Sequence, residues 1–208
     1  MVKDIENWKG IHMSDKDLLQ RYTAGEERAF QELVSRYKDS VYGFLRRFLS
    51  RPDMVEDVFQ ETFMQLFVSR NTFDTSRPLR PWLFTIAANK AKDALRRMQH
   101  QESAHLGDMF SSDEHTIEDV LNTFDYDTQM PYDSLIRDET AESVKRVIGK
   151  MPAKLREIIL LAYFHKFSYA EISKILGIPV GTVKSRLHTA VGRFAEDWET
   201  VVMCESRN

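Results

Sequence analysis

Residues 168–194, SYAEISKILGIPVGTVKSRLHTAVGRF, constrain the fold of this chain more than any other segment, because they read as two short helices joined by a tight turn. Ser168 followed by Glu171 forms an S-x-x-E capping box, which satisfies backbone N–H groups left unpaired at a helix start. Ile172, Ile175 and Leu176 recur at helical spacing and give the first helix a buried face, while Gly177 supplies the permissive backbone needed at its C-terminus. Ile178 plugs the turn. Pro179 fixes its own φ and lacks an N–H, so it belongs at the opening of the next helix. In that second helix Val183, Leu187, Ala190 and Phe194 share one stripe, and Lys184, Ser185, His188 and Thr189 point away from it. A helix-turn-helix places the start of its second helix in the DNA major groove, where Lys184 and Arg186 could meet phosphates and base edges. The plain alternative is a solvated helical hairpin.

The net charge of −3 argues against nucleic acid when taken as an average over the 208 residues, but the charge is unevenly spread. Between Arg97 and Arg137 there is no Lys or Arg, whereas Asp108, Asp113, Glu114, Glu118, Asp119, Asp125, Asp127 and Asp133 fall in the same interval. An acidic middle therefore hides basic ends. The single cysteine, Cys204, excludes an intramolecular disulfide and suits a reducing compartment. The N-terminal MVKDIENWKG lacks the apolar run of a signal peptide, and no stretch approaches the roughly 20 apolar residues that span a bilayer. A soluble, cytoplasmic protein without membrane insertion is expected.

Nearly every periodic segment has helical spacing and no run alternates as a strand would, so the chain is expected to be all-α, with two helical domains. The first spans 14–99. Leu18, Leu19 and Tyr22 open it, and Ala29, Phe30, Leu33, Val34, Tyr37, Val41, Phe44, Leu45 and Phe48 continue a long stripe. Pro52 marks a new helix, with Val55, Val58, Phe59, Thr62, Phe63 and Leu66 near one face and Asp57, Gln60, Glu61 and Met64 on the other. A turn-rich loop over 71–81 leads to a helix expected from about Trp82 to Met98, its inner side carrying Leu83, Ile86, Ala87, Ala91, Ala94 and Leu95. Residues 100–134 read as an acidic linker, with helical turns around 117–121. The second domain, 135–200, is expected to hold a helix over 135–148, broken by Gly149 and Pro152, then a helix over 154–164 packed beneath the hairpin.

Four blocks in this order resemble the bacterial extracytoplasmic-function (ECF) sigma factors of RNA polymerase. SDKDLLQRYTAGEERAFQELVSRY resembles that family's opening helices, VEDVFQETFMQLF its polymerase-binding helix, and RPWLFTIAANKAKDALRR its promoter-melting helix. MPAKLREIILLAYFHKFSYAEISKILGIPVGTVKSRL resembles its C-terminal domain. The resemblance implies sigma region 2 in the first domain and sigma region 4 in the second. It implies core RNA polymerase and promoter DNA as partners, an anti-sigma factor as inhibitor, and a free chain that is monomeric.

By the same resemblance, Asp57, Gln60, Glu61 and Met64 meet a coiled coil of the largest polymerase subunit. Two carboxylates, an amide and an adaptable thioether suit docking against helices carrying arginines. The minus-ten element falls to Phe73, Arg77, Arg80, Asn89, Lys92, Asp93, Arg96 and Arg97. There Asn and Asp can bond exposed base edges, cations can neutralise phosphates, and Phe73, Arg77 and Arg80 can rim a pocket for an extruded base. Trp82 reads as a buried anchor or a stacking platform. The minus-thirty-five element falls to Thr182, Lys184, Ser185, Arg186 and His188, with Arg193 on phosphate. The linker is implied to enter the polymerase channel; a solubilising tether is the plain alternative. Pro179 stands where the family commonly has a capping serine, so one N-cap hydrogen bond is lost.

No catalytic residue, metal site or cofactor is expected: there is no P-loop and no nucleophile elbow, and His100, His105 and His115 lack a partnering cysteine. The chain is not expected to be an enzyme. Two other functions fit a helix-turn-helix: a stand-alone regulator binding duplex DNA as a dimer, and a sigma-like decoy that titrates a regulator.

Overall fold

The computed structural model describes residues 13–49, 51–69, 72–105 and 139–205, and the segment from 106 to 138 that contains most of the acidic linker lies outside them. The described residues form eight α-helices and no strand: α1 (Asp15–Thr23), α2 (Glu27–Phe48), α3 (Pro52–Val68), α4 (Leu79–His105), α5 (Glu139–Lys150), α6 (Ala153–Ile159), α7 (Tyr169–Leu176) and α8 (Val180–Glu205).

Helix α1 starts at a capping box in which Ser14 and Asp17 bond reciprocally, the Asp17 N–H donating to Ser14 Oγ at 3.2 Å. Arg36 of α2 ties α1 down by donating to Asp15 at 2.7 Å, and the Tyr37 hydroxyl donates to the same carboxylate. Along α2 the expected stripe is buried at Ala29, Leu33, Tyr37, Val41, Phe44, Leu45 and Phe48 and half-buried at Phe30 and Val34. Helix α3 begins with Pro52 at its first position, where a missing N–H costs nothing, and buries Val55, Val58, Thr62, Phe63 and Leu66. Tyr22, Phe30 and Phe67 close the far end, with Tyr22 and Phe30 stacked at 4.9 Å between ring centroids.

Three helix limits differ from the sequence expectation. Helix α4 starts at Leu79, not at Trp82, because Pro81 sits in the first turn, where N–H groups have no helical partner anyway. It also runs past Met98 to His105, since residues 99–105 contain neither Gly nor Pro to stop it. Gly149 does not break α5, which continues to Lys150; the Gly149 carbonyl instead accepts a hydrogen bond from Arg156 Nη2 at 2.5 Å, and the break falls at Met151 and Pro152. The expected start at 135 lies outside the described residues, as do the helical turns around 117–121.

The helix expected over 154–164 is not continuous. After α6 the chain makes a π-helical turn over Leu160–Phe164, with the His165 N–H reaching back to Leu160 O at 3.0 Å. The wider turn leaves Tyr163 and Phe164 exposed and directs His165 inward. Lys166 then adopts φ 54°, the left-handed conformation usual for a residue just past a helix end, and the Phe167 N–H closes the cap on Leu161 O at 3.1 Å.

The two helical groups share one continuous core. Phe84 of α4 is its junction. Its ring meets Phe44 of α2 at 5.6 Å on one side, and His165 and Phe167 of the C-terminal group at 4.8 and 5.0 Å on the other. Arg156 joins the groups through the backbone, donating to Phe48 O at 2.9 Å and Met151 O at 2.8 Å.

Candidate nucleic-acid and polymerase interfaces

Helix α3 separates its two faces cleanly. With the apolar face locked into the core, Asp57 and Gln60 are exposed and Met64 is 62% exposed. Glu61, expected on the same surface, is engaged by α4: Lys90 Nζ lies 3.1 Å and Arg97 Nη2 3.7 Å from its carboxylate. The exposed row continues past Met64 to Phe67 and Val68, which lie 46% and 61% exposed at the end of the helix. Sequence reasoning did not include these two in the surface; two apolar residues beyond the last buried position, Leu66, were the available signal.

The loop before α4 is shaped by Asp74. Its carboxylate accepts from the Ser76 N–H at 3.0 Å and the Ser76 hydroxyl at 2.7 Å, and pairs with Arg77 at 3.3 Å. Those Ser76 hydrogen bonds hold the Asp74 carboxyl below the usual carboxylate range. Phe73 packs on Trp82 with ring centroids 4.4 Å apart, both rings half-buried, so Trp82 is a platform under Phe73 and not a deeply buried anchor.

Along α4 the candidate base and phosphate contacts fall into three environments. Asn89 is exposed, and Asp93 and Arg96 pair with each other at 3.0 Å on the open surface. Arg97 turns to Glu61 of α3. Arg80 and Lys92 turn to the C-terminal group. Arg80 donates to the His165 carbonyl at 2.5 Å and lies over the Phe167 ring at 4.1 Å. Lys92 faces the Glu157 carboxylate at 3.8 Å. Phe73 and Arg77 thus stay in the loop before α4, one on Trp82 and the other on Asp74, while Arg80 turns to the C-terminal group.

The hairpin forms as the sequence dictates. The Glu171 N–H donates to Ser168 Oγ at 3.3 Å, while the Ser168 hydroxyl and N–H donate to the Glu171 carboxylate at 2.7 and 2.8 Å; the hydroxyl bond first, then the N–H bond, lower the Glu171 pKa. Gly177 has φ 66°, a conformation that carries little penalty only without a Cβ. Ser173 Oγ then donates to Ile178 O at 2.6 Å, which fixes the turn. On α8, Val183, Leu187 and Ala190 are buried, while Lys184, Ser185 and His188 are exposed on the opposite side. Thr182 is half-buried at the helix start, its carbonyl accepting from Ser185 Oγ at 3.2 Å. Arg193 is half-exposed and paired with Asp197 at 3.0 Å.

Arg186 departs from this outward set. Its side chain is 24% exposed and turns back to Glu157 of α6 at 3.6 Å. Glu157, only 5% exposed, therefore sits between a cation of α8 and Lys92 of α4. Burial raises its pKa, and the two cations oppose that rise. Neither Glu157 nor His165 was singled out from the sequence. The signal for Glu157 was a carboxylate inside the apolar run LREIILL; His165 carried none, because its burial depends on the other helical group.

Among the described residues no helix is long and apolar enough to cross a membrane. Residues 33–101 match the Sigma-70 region 2 family and residues 141–193 the Sigma-70 region 4 family. Relatives match along most of the chain. The ECF RNA polymerase sigma factor SigW of Bacillus subtilis (strain 168) is 32% identical over 86% of this chain and 93% of its own length. The ECF RNA polymerase sigma-E factor of Haemophilus influenzae is 33% identical over 86% of this chain and 92% of its own. Among solved structures, the sigma factor RpoE of Bartonella quintana, crystallised with the anti-sigma factor NepR, superposes with a TM-score of 0.64 at 25% identity, covering 82% of this chain and 96% of that one.

Helical region 2 and region 4 units in that order define a sigma factor, a transcription initiation factor with no chemistry of its own. The chain belongs to the ECF family of RNA polymerase sigma factors.

Proposed function

We propose that this chain binds core RNA polymerase through the exposed face of α3, with Asp57, Gln60 and Met64 as direct contacts and Glu61 held in register by Lys90 and Arg97. Charge complementarity with a basic helical partner sets the orientation of capture. Once mounted, α4 and the loop before it take the minus-ten element: Phe73 and Arg77 rim the base pocket, Asn89 and Asp93 meet base edges, and Arg80, Lys92, Arg96 and Arg97 meet phosphate. The exposed side of α8 takes the minus-thirty-five duplex through Thr182, Lys184, Ser185 and His188, with Arg186 and Arg193 toward the backbone.

The corresponding units are 14–99 for region 2, 100–134 for the linker and 135–200 for region 4. The work of polymerase places the chain in the cytoplasm. An anti-sigma factor is the expected regulator, in keeping with the NepR complex of the Bartonella protein. The observation that carries this reading is the ordered pair of family matches on one chain, region 2 at 33–101 and region 4 at 141–193.

Run-off transcription with purified core polymerase tests it. The chain should co-elute with core and start transcripts only in its presence. A chain that instead protects a palindromic operator alone, with half-sites about one helical turn apart, is a duplex regulator.

A further inference from the structure

The outward side of α8, assigned to the minus-thirty-five duplex, is rich in donors and poor in acceptors. Lys184, Arg186 and Arg193 can only donate. Residues 180–194 contain no Asp, Glu, Asn or Gln, so the side-chain acceptors of this stretch are the hydroxyls of Thr182, Ser185 and Thr189 and an unprotonated ring nitrogen of His188. Ser185 and Thr189, the latter given no role by the family resemblance, are both exposed and lie one helical turn apart.

Both hydroxyl protons are already used inside the helix. Ser185 Oγ donates to the Thr182 carbonyl at 3.2 Å, and Thr189 Oγ1 donates to the Ser185 carbonyl at 3.1 Å. A hydroxyl has one proton and two lone pairs, so each oxygen, bonded in this way, faces outward as an acceptor. Accepting from DNA keeps the helical bond and adds one; donating to DNA adds one bond and gives up another. Base edges in the major groove differ in this respect: adenine and cytosine present an amino donor where guanine and thymine present a carbonyl. An acceptor on the helix therefore fixes which strand of a base pair carries the amino group. Short side chains reach a base edge only where the helix lies deep in the groove. Gly181 and Gly192, four residues before Ser185 and three after Thr189, leave room for that approach, since nothing outside the helix backbone and the adjacent residues comes within 4 Å of an added Cβ.

We propose that Ser185 and Thr189 act as paired acceptors that read two nearby positions of the minus-thirty-five element as amino-bearing, adenine or cytosine on the contacted strand, which makes Thr189 a further specificity-determining residue. The pair rests on the sigma-factor reading of α8. Lys184 and His188 form the adjacent row, one position earlier in each case, so a cation that must donate stands beside hydroxyls that accept. A duplex that turns carbonyl edges toward the hydroxyls loses a bond at each such position.

The test uses holoenzyme reconstituted from purified core polymerase and the full-length chain. Selection from promoter duplexes randomised over the minus-thirty-five element gives the bases preferred by wild type, Ser185→Ala and Thr189→Val. The second variant keeps the shape of threonine without its hydroxyl, and circular dichroism checks both for helicity. Each adenine or cytosine of the wild-type site is then replaced singly by its analogue without the amino group, purine for adenine and pyrimidinone for cytosine, and affinity is measured by competition over a salt series.

Wild type should select adenine or cytosine at two nearby positions and lose roughly tenfold in affinity when either amino group is removed. Thr189→Val should relax one of these positions and become indifferent to its amino group, and Ser185→Ala the other. Salt slopes should stay unchanged in both, because no phosphate contact is lost. Selection of guanine or thymine at the positions the variants relax means that the hydroxyls donate, and overturns the proposal. An amino-group loss that persists undiminished in both variants overturns it too. If one variant loses helicity, the other and wild type decide. A wild type that joins core yet is insensitive to every amino group defeats the acceptor pair alone; a wild type that never joins core overturns the initiation reading and the pair with it.

Discussion

Single residues in this chain carry roles that their type alone does not announce. Lys166 occupies a left-handed conformation that L side chains adopt at a cost, at the point where the π-helical turn ends. Lys166→Gly should raise stability by up to about 1 kcal/mol, read from urea midpoints; no change would mean that the lysine side chain offsets its backbone cost. His165 is a titrating buried group. Burial first, then the charges of Arg80 and Arg47, push its pKa from 6.5 down to about 4, so the folded protein holds it neutral while the unfolded chain protonates it. Its contribution is complete above about pH 6.5 and declines as pH falls toward 4, to a ceiling of roughly 3 kcal/mol. Glu157 works in the opposite sense, because its raised pKa favours the protonated form on folding. The comparison of wild type with His165→Gln across that pH range isolates the histidine, and the two stability curves should converge at the acid end. Parallel curves would remove His165 from the titration.

At the scale of the element, α3 and α8 each divide into a face that the core holds and a face that a partner can use. On α3 the division leaves Asp57 exposed and free to change without disturbing Val55, Val58 or Leu66. Asp57→Lys is expected to abolish core polymerase binding in a pull-down while leaving the circular dichroism spectrum unchanged; retained binding removes that carboxylate from the interface. On α8 the outward Lys184 and the inward Arg186 should behave differently. Lys184→Ala should weaken promoter binding by holoenzyme, with about 1 less in the salt slope if it touches phosphate alone. Arg186→Ala should also lower thermal stability, since it removes one of the two cations that ion-pair with the buried Glu157. Equal midpoints for the two variants would place Arg186 on DNA only.

At the scale of the molecule, Phe84 couples the halves, because one ring packs on Phe44 from region 2 and on His165 and Phe167 from region 4. Phe84→Ala should cost about 3–5 kcal/mol, the range for emptying a fully buried aromatic site. It should also replace a single unfolding transition by two, which differential scanning calorimetry resolves. One cooperative transition in that variant would show that the halves are coupled through other contacts, such as Arg156 on Phe48 O.

Local chemistry in the sequence determined the elements: the capping boxes at Ser14 and Ser168, the proline opening of α3, the glycine end of α7 and the apolar stripes of α2, α3 and α8 are interactions over three or four residues, so spacing suffices to reveal them. The resemblance to ECF sigma factors was legible for the same reason, since its motifs are contiguous blocks. Only the tertiary structure decided which charged side chains stay on the outer surface and which turn to the other helical group. Arg80, Lys92 and Arg186 share a sequence character with Arg96 and Lys184, yet the first three turn to Glu157, His165 and Phe167, partners 65 or more positions away for Arg80 and Lys92 and 29 positions away for Arg186. Phe84, lying off the inner stripe of α4, is buried because that helix is covered from two sides. Periodicity records one covering surface per helix; a second, contributed by distant chain, is set by how the domains meet.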